Sequence, residues 1–267
     1  MGENPKSEVA GAQSVDRALS LLSLVAAGGG ADVPMTYLTE RTGLSRPTVR
    51  RLMLALIRAG LVDQDALTRN YALGPESQVI GLMAQRRFPL LDVAMESVIA
   101  IAAESGDSSF LSIRRGLYSV CLHREEGSYP LRTQALQVGA RHPLGIGAGA
   151  MAMLAALSDE DLQEAKTENA AILAERYPNY TEATIDAHVA ATRERGYALN
   201  PGLYLANSWG IGVALHAPTG DVLGSLSIAA LDFRLTPERQ PELAALLKRE
   251  AAKVEFKLKK RLKSKSA

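Results

Sequence analysis

The sequence predicts a two-domain protein: a mainly α N-terminal domain carrying a helix-turn-helix with a β-wing, then a linker helix, then a larger α+β domain. Three observations predict it. Two short helical segments meet at Gly43, two short strand candidates follow at once, and beyond Gly74-Pro75 helices alternate with strands joined by hairpin turns. A chain of 267 residues exceeds the commonest domain size, so each domain can bury a core of its own.

Residues 1–13 are small and polar and read as a flexible tail. Ser14 is positioned to cap a helix whose Val15, Ala18, Leu19, Leu22 and Val25 form an apolar stripe. Gly28-Gly29-Gly30 ends it, and reads as a connector because the Lys-Ser/Thr of a phosphate loop does not follow. Thr36 is expected to cap a second helix that Gly43 ends, and Leu44-Ser45 leads into a third, running to about Ala59.

That third helix divides by angle. Val49, Leu52, Met53, Leu56 and Ile57 recur at three-and-four spacing and form the core stripe. At 100° per residue the other side carries Pro47, Thr48, Arg51, Ala55 and Arg58, with Arg50 on the flank and Arg46 in the first turn. Between Arg41 and Val62 no residue is acidic, which suits a phosphate-lined groove. A solvated basic face on an ordinary amphipathic helix is the plain alternative; the preceding helix, the turn and the hairpin favour DNA. Angular position assigns base readout to Arg46, Pro47, Thr48 and Arg51, and phosphate contact to Arg50 and Arg58. The hairpin runs from Leu61-Val62-Asp63-Gln64 through a turn at 65–68 to Arg69-Asn70-Tyr71-Ala72-Leu73-Gly74, with Arg69 at the wing.

These elements define a DNA-binding domain over 14–74 and a linker helix over 75–88, begun by Pro75. The apolar side of the linker helix is expected to meet the same helix of a second subunit. The second domain, 89–263, has a long helix from Leu90 to Ser105 stopped by Gly106. Strands are expected at Ser108–Arg114, Leu117–Arg124, Leu131–Val138, Tyr197–Leu203, Trp209–Ala217 and Val222–Ala230, the last two joined by Pro218-Thr219-Gly220-Asp221. Helices fill Ala148–Leu157, Asp159–Arg176, Glu182–Arg195 and Pro237 to about Leu262. The last helix is dense in cations, from Lys248 and Arg249 through Lys253, Lys257, Lys259, Lys260, Arg261 and Lys263 to Lys265, with Leu247, Ala251, Val254 and Leu258 on its apolar side. A solvated face complementing the helix dipole and a contact to DNA both suit it.

Several classes find no support in the residues. The four histidines, His123, His142, His188 and His216, share no metal-ligand spacing, and the single cysteine, Cys121, sits in an apolar strand, so no metal site is expected. No Gly-x-Ser-x-Gly elbow appears, and Gly145-Ile146-Gly147-Ala148-Gly149-Ala150 has the wrong spacing and surroundings for a dinucleotide site. Neither catalytic residues nor a cofactor are expected. The same stretch offers two readings: a helix start whose free N–H groups hold a carboxylate, or close packing of backbone on a sheet. A net charge of only +1 makes any DNA affinity a matter of local placement. With no apolar run of membrane length and no leader pattern, a cytoplasmic protein is expected.

Ser14-Val15-Asp16-Arg17-Ala18-Leu19, Thr42 to Leu52, Gly60-Leu61-Val62 and Tyr71-Ala72-Leu73-Gly74 resemble the winged-helix domain of the IclR family of bacterial transcriptional regulators. The resemblance continues through Gly139-Ala140-Arg141-His142-Pro143-Leu144, Arg193-Glu194-Arg195-Gly196-Tyr197-Ala198-Leu199 and Arg234-Leu235-Thr236-Pro237-Glu238-Arg239. It implies a GAF-like effector-binding domain, whose pocket by position takes in Ala148, Gly149, Asn200, Trp209, Gly210 and Ser227. This chain departs from the family pattern at Gly210, where many relatives have cysteine, at Met151, where many have lysine, and at Ala229-Ala230, which replaces a more polar pair. The resemblance therefore implies a ligand-responsive regulator of a double-stranded DNA operator, sensing a small organic acid with an aromatic or larger apolar body. It also implies a homodimer and a tetramer made of two dimers. A small-molecule-binding enzyme and a ligand-independent DNA-binding protein are the rival classes.

Overall fold

A computed structural model describes residues 12–28, 31–131, 133 and 136–263. Contacts divide the chain into two compact units, Met1–Arg87 and Phe88–Ala267.

The first unit packs α1 (Gln13–Ala26), α2 (Met35–Thr42) and α3 (Arg46–Arg58) around Leu21, Val25, Leu38, Val49, Leu52, Met53 and Leu56. Burying the α3 stripe leaves the rest of that helix at the surface, as its angular pattern requires. Gly43 closes α2 at φ +66°, a left-handed position that suits a residue without Cβ. The wing is β1 (Val62–Gln64) against β2 (Tyr71–Leu73), antiparallel. Val33, just before α2, adds an isolated bridge to Tyr71 that the pattern did not signal. α4 (Pro75–Arg87) follows, tied to the wing by the Ser77 hydroxyl, which donates to the Leu61 carbonyl at 2.8 Å.

Two local expectations change. Ala12, not Ser14, is the N-cap of α1, and Pro34, not Thr36, that of α2; Ser14 and Thr36 lie inside the first turns. Within α1 the buried residues are Leu21 and Val25, while Val15 and Leu19 stand 57% and 52% exposed. The core therefore lies rotated from the expected stripe. On α4, Val79, Ile80, Leu82 and Met83 are 46, 53, 54 and 59% exposed, so the apolar side expected to meet a second subunit lies at the surface of the single chain. The expected tail, 1–13, and Gly29-Gly30 fall almost wholly outside the described residues.

The second unit is a six-stranded antiparallel sheet in the order β5-β4-β3-β8-β7-β6. Its strands are β3 (Ser108–Arg115), β4 (Tyr118–Glu125), β5 (Arg141–Pro143), β6 (Ala198–Pro201), β7 (Ser208–His216) and β8 (Val222–Leu231). Leu111, Ile113, Ile211, Val213, Leu215, Leu226 and Ile228 pack in one core with α5 (Leu90–Ser105) and α9 (Gln240–Lys263). The opposite face carries α6 (Gly147–Ala155), backed by α7 (Asp159–Arg176) and α8 (Glu182–Arg195) in a second core. Alternation puts Ile211, Val213 and Leu215 on the first face and Gly210 and Gly212 on the second. A Cβ on Gly212 would lie 2.9 Å from the Ala148 carbonyl oxygen, so the glycine is what admits α6.

The strand expected at Leu131–Val138 is absent among the described residues of that stretch; the edge strand is instead the three-residue β5. Nothing in a run that short, interrupted by Pro143, announces a strand. At the other end Asp107, its side chain 3% exposed, is clamped by Arg234 Nε at 2.6 Å and by Arg239 at 2.7 Å. The Arg234-to-Arg239 motif thus closes the domain around one buried carboxylate.

Candidate functional site

Two sites emerge, one in each unit. In the first, Arg46, Pro47, Arg50, Arg51, Arg58 and Arg69 are all exposed and Thr48 is half-buried, its hydroxyl 2.9 Å from that of Ser45. Among the described residues no carboxylate lies within ion-pair distance of Arg46, Arg50, Arg51 or Arg58. Cations left without partners on the outer face of a recognition-type helix are what a polyanion neutralises. Arg46, Arg50 and Arg69 border one hollow of about 170 Å³ between α3 and the wing. Arg51 and Arg58 lie outside it.

In the second unit a cavity of about 60 Å³ lies between the start of α6 and the sheet. All six residues expected there, Ala148, Gly149, Asn200, Trp209, Gly210 and Ser227, line it. Three strands and one helix bring them together: β6 supplies Asn200, β7 Trp209 and Gly210, β8 Ser227. Gly149 sits against β8, where a Cβ would be 2.8 Å from Ser225 Oγ and 3.1 Å from Ser227 Oγ. The close-packing reading of the glycine stretch therefore applies, and that packing also carries the helix start to the cavity wall.

Among the described residues the lining contains no Lys, Arg, Asp or Glu. It is instead rich in uncharged donors. Asn200 Oδ1 accepts from the Tyr180 hydroxyl at 3.3 Å and from the Leu203 N–H at 3.1 Å, which leaves the amide NH₂ as what Asn200 offers the cavity. The Tyr180 hydroxyl also accepts from the Gly147 N–H at 3.2 Å, and burial raises its pKa, so it stays a phenol. Ser225 Oγ, fully buried beneath Gly149, has no hydrogen-bond partner among the described residues.

Sequence reasoning missed His142, Tyr204, Ser112, Ser119 and Ser208, which also line the cavity. His142 was weighed only as a metal ligand. It arrives through β5, paired with Ser119 of β4, and its Nδ1 lies 3.1 Å from the Tyr177 hydroxyl. Rings of Tyr177 and Tyr204 meet it edge-on, and burial lowers its pKa, which holds the imidazole neutral. The other chemistry-bearing groups are spent elsewhere. Cys121 is buried, with its thiol pushed up to about 12, mainly by desolvation. Among the described residues no three His, Cys, Asp or Glu side chains gather as metal ligands, and no helix is long and apolar enough to cross a membrane.

On α9, part of the cationic face is paired with carboxylates. Arg249 binds Glu104 at 2.6 Å, Lys253 binds Glu250 at 2.7 Å and Lys257 binds Glu96 at 2.6 Å. Glu96 and Glu104 lie on α5, so this basic face is bound up with its neighbour helix.

A winged helix-turn-helix with an unpaired cationic face, followed by a domain enclosing a donor-lined cavity, defines a ligand-responsive DNA-binding transcriptional regulator. The chain belongs to the IclR family: the IclR helix-turn-helix domain matches residues 14–66, and the bacterial transcriptional regulator IclR C-terminal domain matches residues 83–256. It is 23% identical over 250 residues to the transcriptional repressor IclR of Escherichia coli, covering 91% of this chain and 88% of that one. Its fold is similar to that of an IclR transcriptional regulator from Alicyclobacillus acidocaldarius, with a TM-score of 0.76 at 22% identity over 92% of this chain and 98% of the other. An IclR homologue from Microbacterium hydrocarbonoxydans, complexed with 4-hydroxybenzoate, gives a TM-score of 0.73 at 17% identity over 92% and 99%.

Proposed function

We propose that this regulator senses a small organic acid in the α6 cavity, and that occupancy shifts its affinity for an operator read by α3. The observation that carries the reading is the cavity wall, where the start of α6, Asn200, Ser227 and His142 converge with no carboxylate among the described residues. Hydroxyl, amide and backbone N–H donors with no anionic acceptor among the described lining residues fit an acceptor-rich ligand, and the positive end of α6 favours an anion. An aromatic body is favoured by Phe110 and Trp209 on the wall and by the 4-hydroxybenzoate held by the Microbacterium homologue. At about 60 Å³ the cavity is small for such a ring, which enters by displacing Tyr204 from its strandless loop.

On the DNA side, Arg46, Pro47, Thr48 and Arg51 take base edges and Arg50 and Arg58 take phosphates, with Arg69 at the wing. Two readers address successive major-groove faces about 34 Å apart, which calls for a homodimer, and two dimers make a tetramer. The exposed Val79, Ile80, Leu82 and Met83 supply an apolar surface for pairing α4 with its copy. We divide the chain functionally into a tail (1–13), a reader (14–74), a linker helix (75–88) that couples, and a sensor (89–263). The protein acts in the cytoplasm and catalyses no reaction.

Thermal-shift titration of the full-length protein with benzoate, 4-hydroxybenzoate, pyruvate and the neutral analogue benzamide tests the sensor. The melting temperature should rise with an acid and not with benzamide. A rise with benzamide alone, or with none of the four, contradicts the acid reading.

A further inference from the structure

Leu67, at the apex of the wing, is 92% exposed, more than any other large apolar side chain among the described residues. The loop that presents it is not loose. Asp65 Oδ1 accepts from the Leu67 N–H at 3.0 Å, the Thr68 N–H at 2.6 Å and the Thr68 hydroxyl at 2.8 Å. The Asp65 N–H donates to the Asn70 carbonyl at 2.9 Å, the Arg69 N–H to the Asp65 carbonyl at 3.0 Å, and Gln64 Nε2 to the Arg69 carbonyl at 2.8 Å. Arg69 holds φ +61°, a left-handed position uncommon outside glycine. This knot fixes the tip and keeps Leu67 from folding back onto the core, so apolar surface stays in water at a standing cost.

The surroundings say what covers it. The hollow between α3 and the wing is bordered by Arg46, Arg50 and Arg69, a fit for the phosphates of one strand. With α3 in the major groove, that strand is the wall between the grooves, and the wing tip beyond it faces the minor groove. A stiffly held leucine beside an arginine there has the makings of a wedge, the kind of apolar side chain that partly unstacks a base step and kinks the duplex.

We propose that Leu67 inserts from the minor-groove side at a base step flanking the major-groove half-site, bending the operator. This rests on the DNA-reading role of the first unit and adds a site to it. The step contributes specificity through deformability, so flexible pyrimidine–purine steps are favoured there without any base contact.

The test uses full-length protein and an operator selected by the wild type from a random duplex pool. 2-Aminopurine is then placed at successive positions flanking the half-site, and bending is read by end-to-end fluorescence energy transfer. The wild type should brighten one flanking position several-fold and shorten the end-to-end distance. Leu67→Ala should abolish both and weaken operator binding about 10-fold, with an unchanged salt slope and melting temperature, while Leu67→Met keeps most of the signal. Unaltered fluorescence and bend in Leu67→Ala overturn the wedge, as does weaker binding without loss of the fluorescence signal. If the wild type selects no duplex at all, the reading of α3 falls and the wedge with it.

Discussion

Two helices of this protein are dense in arginine and lysine, and they use them in opposite ways. On α3 the guanidinium groups of Arg46, Arg50, Arg51 and Arg58 stand in solvent with no acid beside them among the described residues; on α9 Arg249, Lys253 and Lys257 each hold a glutamate within 2.7 Å. Counting charges makes α9 the more attractive DNA surface. Pairing takes Arg249, Lys253 and Lys257 out of that count, because a cation already neutralised releases few counterions from a phosphate backbone. The difference traces to the neighbours: α5 brings Glu96 and Glu104 to α9, whereas the stretch from Arg41 to Val62 contains no acid.

Substitutions sharpen this contrast, and the largest effect belongs to a paired cation. Arg234→Ala removes one of the two arginines holding buried Asp107 and should cost about 3 kcal/mol of stability, read as a fall in denaturation midpoint. A shift below about 1 kcal/mol would mean that Arg239 suffices. An unpaired cation should behave otherwise: Arg51→Ala leaves the melting temperature alone and costs about 1–3 kcal/mol at the operator, with relaxed preference at one base position. Equal losses on operator and random DNA would reassign Arg51 to a phosphate.

Smaller again is the effect of His142, the titratable group kept neutral inside the sensor. Burial lowers its pKa from the ordinary 6.5. Below pH 6.5 the unfolded chain therefore binds a proton that the folded chain does not. The contribution to stability is complete above that pH and is lost as the pH falls through the lower folded value. Denaturant titrations of wild type and His142→Phe between pH 7.5 and about 5 should lose this dependence in the variant; a slope of the opposite sign would show that His142 is protonated in the cavity. Least of all, Lys257→Gln breaks an exposed pair with Glu96 and should leave the denaturation midpoint essentially where it is. A measurable loss, by chemical denaturation, would make the α5–α9 pairs structural.

Much of this was legible in the chain itself. Three-and-four spacing on α3, the Gly43 and Gly106 stops, and the hairpin around Pro218-Thr219-Gly220-Asp221 act through local physics, and the elements they announce are present. Helix caps were less readable, because a serine or threonine near a helix start suits the cap or the first turn equally, and backbone geometry chose Ala12 and Pro34. The α1 stripe was legible only in part: Ala18, Leu22 and Val25 pack on the core, while Val15 and Leu19 stay more than half exposed. In the cavity, residues at the α6 start and on β6 to β8 were found, while His142 and Tyr204 were not. They reach the site through a three-residue edge strand and an irregular loop, neither of which leaves a periodic trace.

The contrast between free and paired cations is tested most directly by the salt dependence of operator binding. Logarithms of affinity and salt concentration should give a slope that falls by about 1 for each of Arg50→Ala and Arg58→Ala. Arg249→Ala and Lys253→Ala should leave that slope unchanged. A slope that drops for the α9 variants and holds for those of α3 would contradict the account.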